Sequence, residues 1–199
     1  MKTIFVTCGA TVPFPDLINS ILSKNFIDCA VENGFTRIIA QIGNGYTETL
    51  VNQVAKLSMA DDYMCHVMAD ELGCNSIASS FKFESNGLEF IAIEYSSKIE
   101  DLITIHGDLV ISHGGTGSIL DSLRLRKPLI VCVNDNLMDN HQQQIADKFE
   151  NSGYIVSCTA TPSSLTKSLT TIQGTTLKQF PTAHNVIFEQ KLVDIAFSF

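Results

Sequence analysis

Basic residues are scarce in this sequence: 13 Lys and Arg stand against 21 Asp and Glu, which gives a formal net charge of -8. Nucleic acids and anionic lipid surfaces both require clustered Lys and Arg for binding. The charge balance therefore argues against both as direct partners. It also means that backbone N–H groups and the partial positive charge of a helix start would have to hold any bound phosphate.

Long apolar runs are lacking as well. No stretch approaches the roughly 20 apolar residues that span a bilayer, and the apolar run at residues 1–6 is too short for a secretory signal peptide. From these absences we expect a cytoplasmic location and no direct membrane insertion.

Several cofactor motifs are missing. The six cysteines form no C-x-x-C pair, so the sequence offers no zinc site and favours a reducing compartment. The first strand-to-helix turn carries one glycine where a dinucleotide site would have G-x-G-x-x-G, and no G-x-x-x-x-G-K-[ST] motif exists. We therefore expect no metal, no NAD or FAD, no P-loop chemistry and no other cofactor.

What the sequence does contain is an alternation of apolar runs and helix-period segments. Such alternation is typical of a parallel sheet covered by helices on both faces, so the predicted fold is α/β and Rossmann-like, as one domain over residues 1–199. Strands are predicted at 2–7, 36–41, 88–95, 109–112, 129–133 and 154–157. Helices are predicted at 15–31, 47–57, 97–105, 117–125, 140–151, 163–172 and about 183–198. The polar segment at 61–86 is expected to be irregular, with one helical turn at 68–72.

A glycine-rich turn separates a predicted strand from a predicted helix in the middle of the chain. Gly114, Gly115 and Gly117 let the backbone approach a ligand closely, and Thr116 and Ser118 supply hydroxyl groups. The helix that follows offers unpaired N–H groups at its start, so this turn suits a diphosphate. The alternative is that the glycines only permit a tight turn and close helix packing.

Polar residues near this turn favour a nucleotide-sugar. Asp121 lies one helical turn after the glycine-rich turn, where its carboxylate can accept hydrogen bonds from ribose, or simply favour the helix start. Asn140, His141 and Gln142 follow the next predicted strand at the same edge of the sheet. They can bind the hydroxyls of a sugar, or serve as a helix cap and helix surface.

Together these residues resemble the donor-nucleotide signature of GT-B glycosyltransferases that use UDP-sugars. The signature runs as H-x-G-x-x-S-x-x-D at 113–121, Lys-Pro at 127–128 and His-Gln at 141–142. The stretches FVTCGATVPF, DLVISHGGTGSILDSLR and KPLIVCVNDNLMDNHQQQIADKF resemble the fungal cytosolic catalytic subunits of the UDP-N-acetylglucosamine transferase of dolichol-linked oligosaccharide synthesis, within glycosyltransferase family 28. The likeness is good over 1–45 and 88–160 and poor over 61–86.

The resemblance implies a donor-binding domain, equivalent to the C-terminal half of a GT-B enzyme. It implies transfer of GlcNAc from UDP-GlcNAc to a lipid-pyrophosphate-GlcNAc acceptor. A membrane-anchored partner subunit would supply the acceptor domain and recruit the chain to the cytosolic face of the endoplasmic reticulum.

The implied donor-binding residues are His113 beside the phosphates, the backbone and hydroxyls of the turn, Asp121 at the ribose, and the sugar-contacting group: His113, Gly114, Gly115, Thr116, Gly117, Ser118, Asp121, Asn140, His141 and Gln142. The related signature usually has Glu where this chain has Asp121. The first turn, with Thr7, Gly9 and Thr11, is expected to face the acceptor. The sequence assigns no general base.

Two other functions stay open at this point: a stand-alone UDP-sugar transferase acting on a soluble acceptor, and a non-catalytic nucleotide-binding adaptor. The apolar stripe of the predicted helix at 183–198 allows it to pack on its own core or to dock on the partner. A hydrolase built on Ser118 is set aside, because His113 and Asp121 flank one turn and compete for the same small space.

Overall fold

The computed structural model describes residues 1–9, 13–56, 62–66, 72, 80–134 and 141–181. Within them lies an eight-stranded sheet made of β1 (Thr3–Thr7), β2 (Arg37–Gln41), β3 (Asp62–His66), β4 (Ser80–Ser85), β5 (Leu88–Ile93), β6 (Leu109–Ser112), β7 (Leu129–Val133) and β8 (Val156–Thr159). The helices are α1 (Pro15–Ile21), α2 (Lys24–Glu32), α3 (Thr47–Lys56), α4 (Ile99–His106), α5 (Thr116–Arg124), α6 (His141–Asn151) and α7 (Pro162–Gly174). None of the helices in this part of the chain is long and apolar enough to cross a bilayer.

Strand order positions β1 at the centre of the sheet. The order is β3-β4-β5-β2-β1-β6-β7-β8, with parallel pairing from β5 through β8. The chain moves outward from β1 through β2 to β5, and then returns to place β6 on the other side of β1. In open parallel sheets a crevice forms at such a switch point, outside the carboxyl ends of the strands.

Two cores cover the two faces of the sheet, which confirms the predicted α/β fold. Side chains of β1 alternate between them: Ile4 and Val6 belong to the core under α1, α2, α3 and α7, and Phe5 belongs to the core under α4, α5 and α6. Helices on both faces leave apolar strands no polar surface to meet, which is why the strands are apolar throughout.

The segment predicted to be irregular, 61–86, contains two strands, so that prediction is wrong for β3 and β4. Asn86 and Gly87 both have positive φ, at 52° and 74°, and this pair forms the two-residue turn between β4 and β5. Asn-Gly is the strongest short-range hairpin signal, and Phe81 and Phe83 alternate with polar residues along β4. The predicted helical turn at 68–72 lies outside the described residues apart from Leu72.

The helix predicted over 15–31 is two helices. Ser23 interrupts it, because its Oγ accepts a hydrogen bond from the N–H of Phe26 at 3.4 Å and so caps a new helix. The predicted helix at 183–198 lies outside the described residues. A single nucleotide-sugar-binding domain over 1–199 therefore stays a prediction.

Candidate functional site

The turns after β1 and β6 meet at one side chain, His113. Its backbone N–H donates to the carbonyl oxygen of Thr7 at 3.0 Å, and its Nδ1 lies 3.1 Å from the same oxygen. A carbonyl oxygen can only accept, so Nδ1 carries a proton and the neutral ring keeps its lone pair on Nε2. This places the imidazole across the switch point between the two central strands.

Two glycines make room for this ring. A Cβ added at Gly115 would lie 2.5 Å from His113 Nε2, and one added at Gly9 would lie 3.1 Å from the same atom. Gly9 also has a φ of +89°, in the left-handed region that favours glycine. Close packing is therefore a real role of Gly115, alongside any contact with a ligand.

The start of α5 provides the anion-binding geometry expected from the sequence. Gly115 is the N-cap and has no capping side chain, and the first intrahelical bond runs from the N–H of Ile119 to the oxygen of Gly115 at 3.0 Å. The amides of residues 115–118 thus have no acceptor within the helix. A Cβ added at Gly117 would meet no atom within 4 Å, so space is open beside these amides.

Gln142 reaches the glycine-rich turn from α6, as predicted. A Cβ added at Gly114, which has a φ of +87°, would lie 3.3 Å from Gln142 Oε1. That oxygen is buried and has no hydrogen-bond partner among the described residues. His141 begins α6, but its side chain is not described, and both Asn140 and Thr11 lie outside the described residues.

Asp121 lies on α5 one turn beyond Ser118. Its side chain is 26% exposed, and Oδ1 is 3.9 Å from Nη1 of Arg124, whose own side chain is 57% exposed. A surface ion pair of this length contributes little, so the carboxylate can exchange it for hydrogen bonds to a ligand. Its contact with a ribose stays a prediction.

Burial controls the protonation of two groups at this edge. Burial lowers the pKa of His113, opposed in part by the hydrogen bond to Thr7, so the ring is neutral in the free protein at neutral pH. Burial raises the pKa of Cys8 to about 12, opposed in part by a hydrogen bond from Phe14. The Cys8 thiol stays protonated and is not a nucleophile.

Sequence reasoning missed one feature, which we name the polar row: Gln41, Thr7 and Ser112, at the ends of β2, β1 and β6. Thr7 is in register with both other residues, so the three side chains share one face of the sheet. Gln41 Oε1, Thr7 Oγ1 and Ser112 Oγ are buried without a hydrogen-bond partner among the described residues. The available signal was a polar residue closing each of three apolar strands.

A parallel sheet with a helix start open to an anion at its switch point is the arrangement found in nucleotide-sugar-binding domains of GT-B glycosyltransferases. Residues 3–197 match the sequence profile described as glycosyltransferase family 28 C-terminal domain, and the chain belongs to this family. The resemblance stated from the motifs is thereby confirmed.

Known proteins of high similarity agree with this assignment. ALG13 of Saccharomyces cerevisiae, a UDP-N-acetylglucosamine transferase subunit, is 46% identical over 99% of this chain and 97% of its own length. The NMR solution structure of ALG13 matches with a TM-score of 0.73 and 45% identity, over 97% of this chain and 96% of that one. MurG of Acinetobacter baumannii shares the fold alone, with a TM-score of 0.55 and 14% identity over 86% of this chain and 41% of that one.

Proposed function

We propose that this chain is the catalytic, donor-binding subunit of a heteromeric UDP-GlcNAc transferase. The complex adds the second GlcNAc to GlcNAc-pyrophosphoryl-dolichol, in the synthesis of the N-linked glycan precursor. The observation that carries the proposal is the uncapped start of α5, whose amides at 115–118 open at the sheet's switch point. Family membership and the relatives named as transferase subunits support it.

The chemistry follows from where charge develops. During transfer the bond between the anomeric carbon and the diphosphate oxygen breaks, and negative charge builds up on UDP. The amides at the α5 start stabilise that charge, and preorganised donors of this kind are each worth about 3 kcal/mol. Asp121 accepts hydrogen bonds from the ribose hydroxyls, and the unpartnered Oε1 of Gln142 accepts one from a GlcNAc hydroxyl.

The general base and the acceptor site come, in this proposal, from a membrane-anchored partner subunit at the cytosolic face of the endoplasmic reticulum. Neither ionisable group described between the two turns suits the task, because His113 is held by Thr7 and Cys8 stays protonated. A GT-B enzyme has two Rossmann-like domains, and the described part of this chain builds one sheet. The first turn, with Thr7, Gly9 and Thr11, would then face the acceptor diphosphate.

The test is reconstitution. The tagged chain is co-expressed in fungal cells, purified with its membrane partner, and assayed with UDP-GlcNAc and a lipid-pyrophosphate-GlcNAc acceptor. We expect a lipid carrying two GlcNAc residues from the complex and none from the isolated chain.

Two results would contradict the proposal and identify the alternatives. Turnover by the isolated chain on a soluble acceptor would indicate a stand-alone transferase. Normal product formation by a complex carrying Gly115→Trp, with no UDP-GlcNAc bound by this chain, would indicate a non-catalytic adaptor.

A further inference from the structure

The carboxamide of Gln41 connects β2 to the turn after β1. Gln41 is only 4% exposed, and its Nε2 donates a hydrogen bond to the carbonyl oxygen of Gly9 at 3.1 Å. Its backbone oxygen also accepts a hydrogen bond from the N–H of Cys8 at 3.0 Å. Gln41 therefore holds the first two residues of that turn through both its side chain and its main chain.

Contacts continue from Gly9 to the start of α5. Gly9 lies against the His113 ring, so closely that a Cβ there would be 3.1 Å from Nε2. The same ring lies against Gly115, the N-cap of α5, and is tied to Thr7 by its Nδ1. Because no gap remains on either side of the ring, a displaced Gly9 changes the position of His113 relative to the α5 amides.

Stability alone does not explain why these positions are polar. Two residues earlier on the same face, the three strands carry Ile39, Phe5 and Val110, which all belong to the core under α4, α5 and α6. Apolar residues at the polar row would extend that core. Instead, Gln41 Oε1 is buried without a hydrogen-bond partner among the described residues, which is unfavourable for folding.

We infer that Gln41 is a positioning residue of the donor site: through Gly9 it holds His113 in place beside the diphosphate. The inference rests on the proposed function and deepens it. Gln41 does not touch the donor in this account. It acts on the part of the site that faces the phosphates, and not on the part that recognises the nucleoside.

Two variants test this. Gln41→Met keeps the length of the side chain and removes the donor, and Gln41→Glu keeps its shape while leaving only acceptors. Calorimetry on the chain in its co-purified complex measures the affinity for UDP-GlcNAc, UDP and uridine, and thermal unfolding measures Tm. We expect about tenfold weaker binding of UDP and UDP-GlcNAc, since small misplacements at a reacting group are costly, with uridine binding unchanged.

Gln53 offers a matched control. Like Gln41 it donates one hydrogen bond from Nε2, to the hydroxyl of Tyr46 at 3.3 Å, and its buried Oε1 has no partner among the described residues. Gln53 lies on α3 and does not bond to Gly9, so Gln53→Met should leave the affinities for all three ligands unchanged.

Each other outcome is decisive. Unchanged affinity for UDP in both Gln41 variants overturns the inference, and so does an equal loss for UDP and uridine. If both variants unfold, Gln41 is a structural residue and the inference also falls. A wild-type complex that binds no uridine nucleotide contradicts the proposed function itself, and this result is distinct because it appears before any substitution is made.

Discussion

The two edges of the sheet are built on different principles. At the amino edge, polar groups are paired: Asp108 Oδ2 accepts a hydrogen bond from the N–H of Thr3 at 2.7 Å, and the N–H of Asp108 donates to the oxygen of Thr3 at 2.9 Å. Lys2 donates to a backbone oxygen at 3.1 Å, and Arg37 pairs with Glu89. These interactions close the strand ends and stabilise the fold.

At the carboxyl edge, the polar row leaves three buried oxygens without partners among the described residues, and the His113 ring fills space that only glycines leave open. Buried polar groups without partners reduce stability, and they concentrate where a protein binds or reacts. The comparison therefore teaches that one edge contributes to stability while the other gives up stability for binding.

A cavity of about 220 Å³ does open near the amino edge, lined in part by Pro128, Tyr154 and Phe180. Tyr154 and Phe180 pack edge to face with ring centroids 5.3 Å apart. It lies beside the starts of β7 and β8, at the opposite ends of the strands from the two turns. We therefore assign the donor to the carboxyl edge, where helix amides and unpartnered oxygens converge.

The largest effect is expected at the carboxyl edge from Gly115→Ala. The new Cβ would lie 2.5 Å from His113 Nε2 and must displace the ring or the start of α5. We expect about a 100-fold loss of transfer rate in the reconstituted complex, the size typical of a misplacement of about 1 Å. Gly174→Ala is the control, because a Cβ there would meet nothing within 4 Å. Full activity of Gly115→Ala would remove the basis of the comparison.

Asp121→Ala should weaken UDP-GlcNAc binding about 20-fold, since hydrogen bonds to a charged acceptor contribute about 1.5–3 kcal/mol. Asp147, which accepts a hydrogen bond from Gln143 on α6, provides the control substitution Asp147→Ala. Titration calorimetry with UDP-GlcNAc measures both variants. Equal affinity for wild type and Asp121→Ala would exclude the ribose contact.

The pH dependence of donor binding should follow His113. Burial lowers the pKa of the free ring, whereas a neighbouring diphosphate raises it, so binding takes up a proton between the two pKa values. The affinity for UDP-GlcNAc should therefore increase several-fold as the pH falls from about 8 to about 6. Titrations of wild type and His113→Gln at both pH values measure this. If both proteins show the same pH dependence, His113 does not face the phosphates.

The smallest effect on binding is expected from Asp108→Ala at the amino edge. It removes the hydrogen bond to the N–H of Thr3 and should lower the free energy of unfolding by about 1 kcal/mol. The affinity for UDP-GlcNAc should not change. Urea unfolding and calorimetry on the same preparation measure the two quantities. A loss of affinity without a loss of stability would erase the distinction between the edges.

Much of the fold was predictable because its signals are local. Apolar runs predicted β6 at 109–112 and β7 at 129–133 with the observed bounds. The β4–β5 hairpin was missed although Asn86 and Gly87 mark its turn, and the break at Ser23 was missed because the apolar period continues across it. Both errors concern chain direction, which apolar periodicity does not report.

The site was predictable only in part. The glycine-rich turn and Gln142 follow neighbouring strands, so the parallel sheet brings them together as expected. Gln41 was overlooked, since its partner Gly9 lies 32 residues away and a lone Gln at a strand end has no distinctive pattern. The roles of the predicted donor-binding residues stay predictions until a nucleotide is titrated.

The amino-acid pattern by itself determined the alternation of strands and helices and the anion-binding character of the α5 start. Both follow from short-range periodicity and backbone geometry. Only the tertiary structure decided that His113 fills the space beside Gly9 and Gly115 and that Gln41 braces this turn. The hydrogen bond between His113 and Thr7 joins residues 106 positions apart, and such contacts exist only once the sheet has assembled.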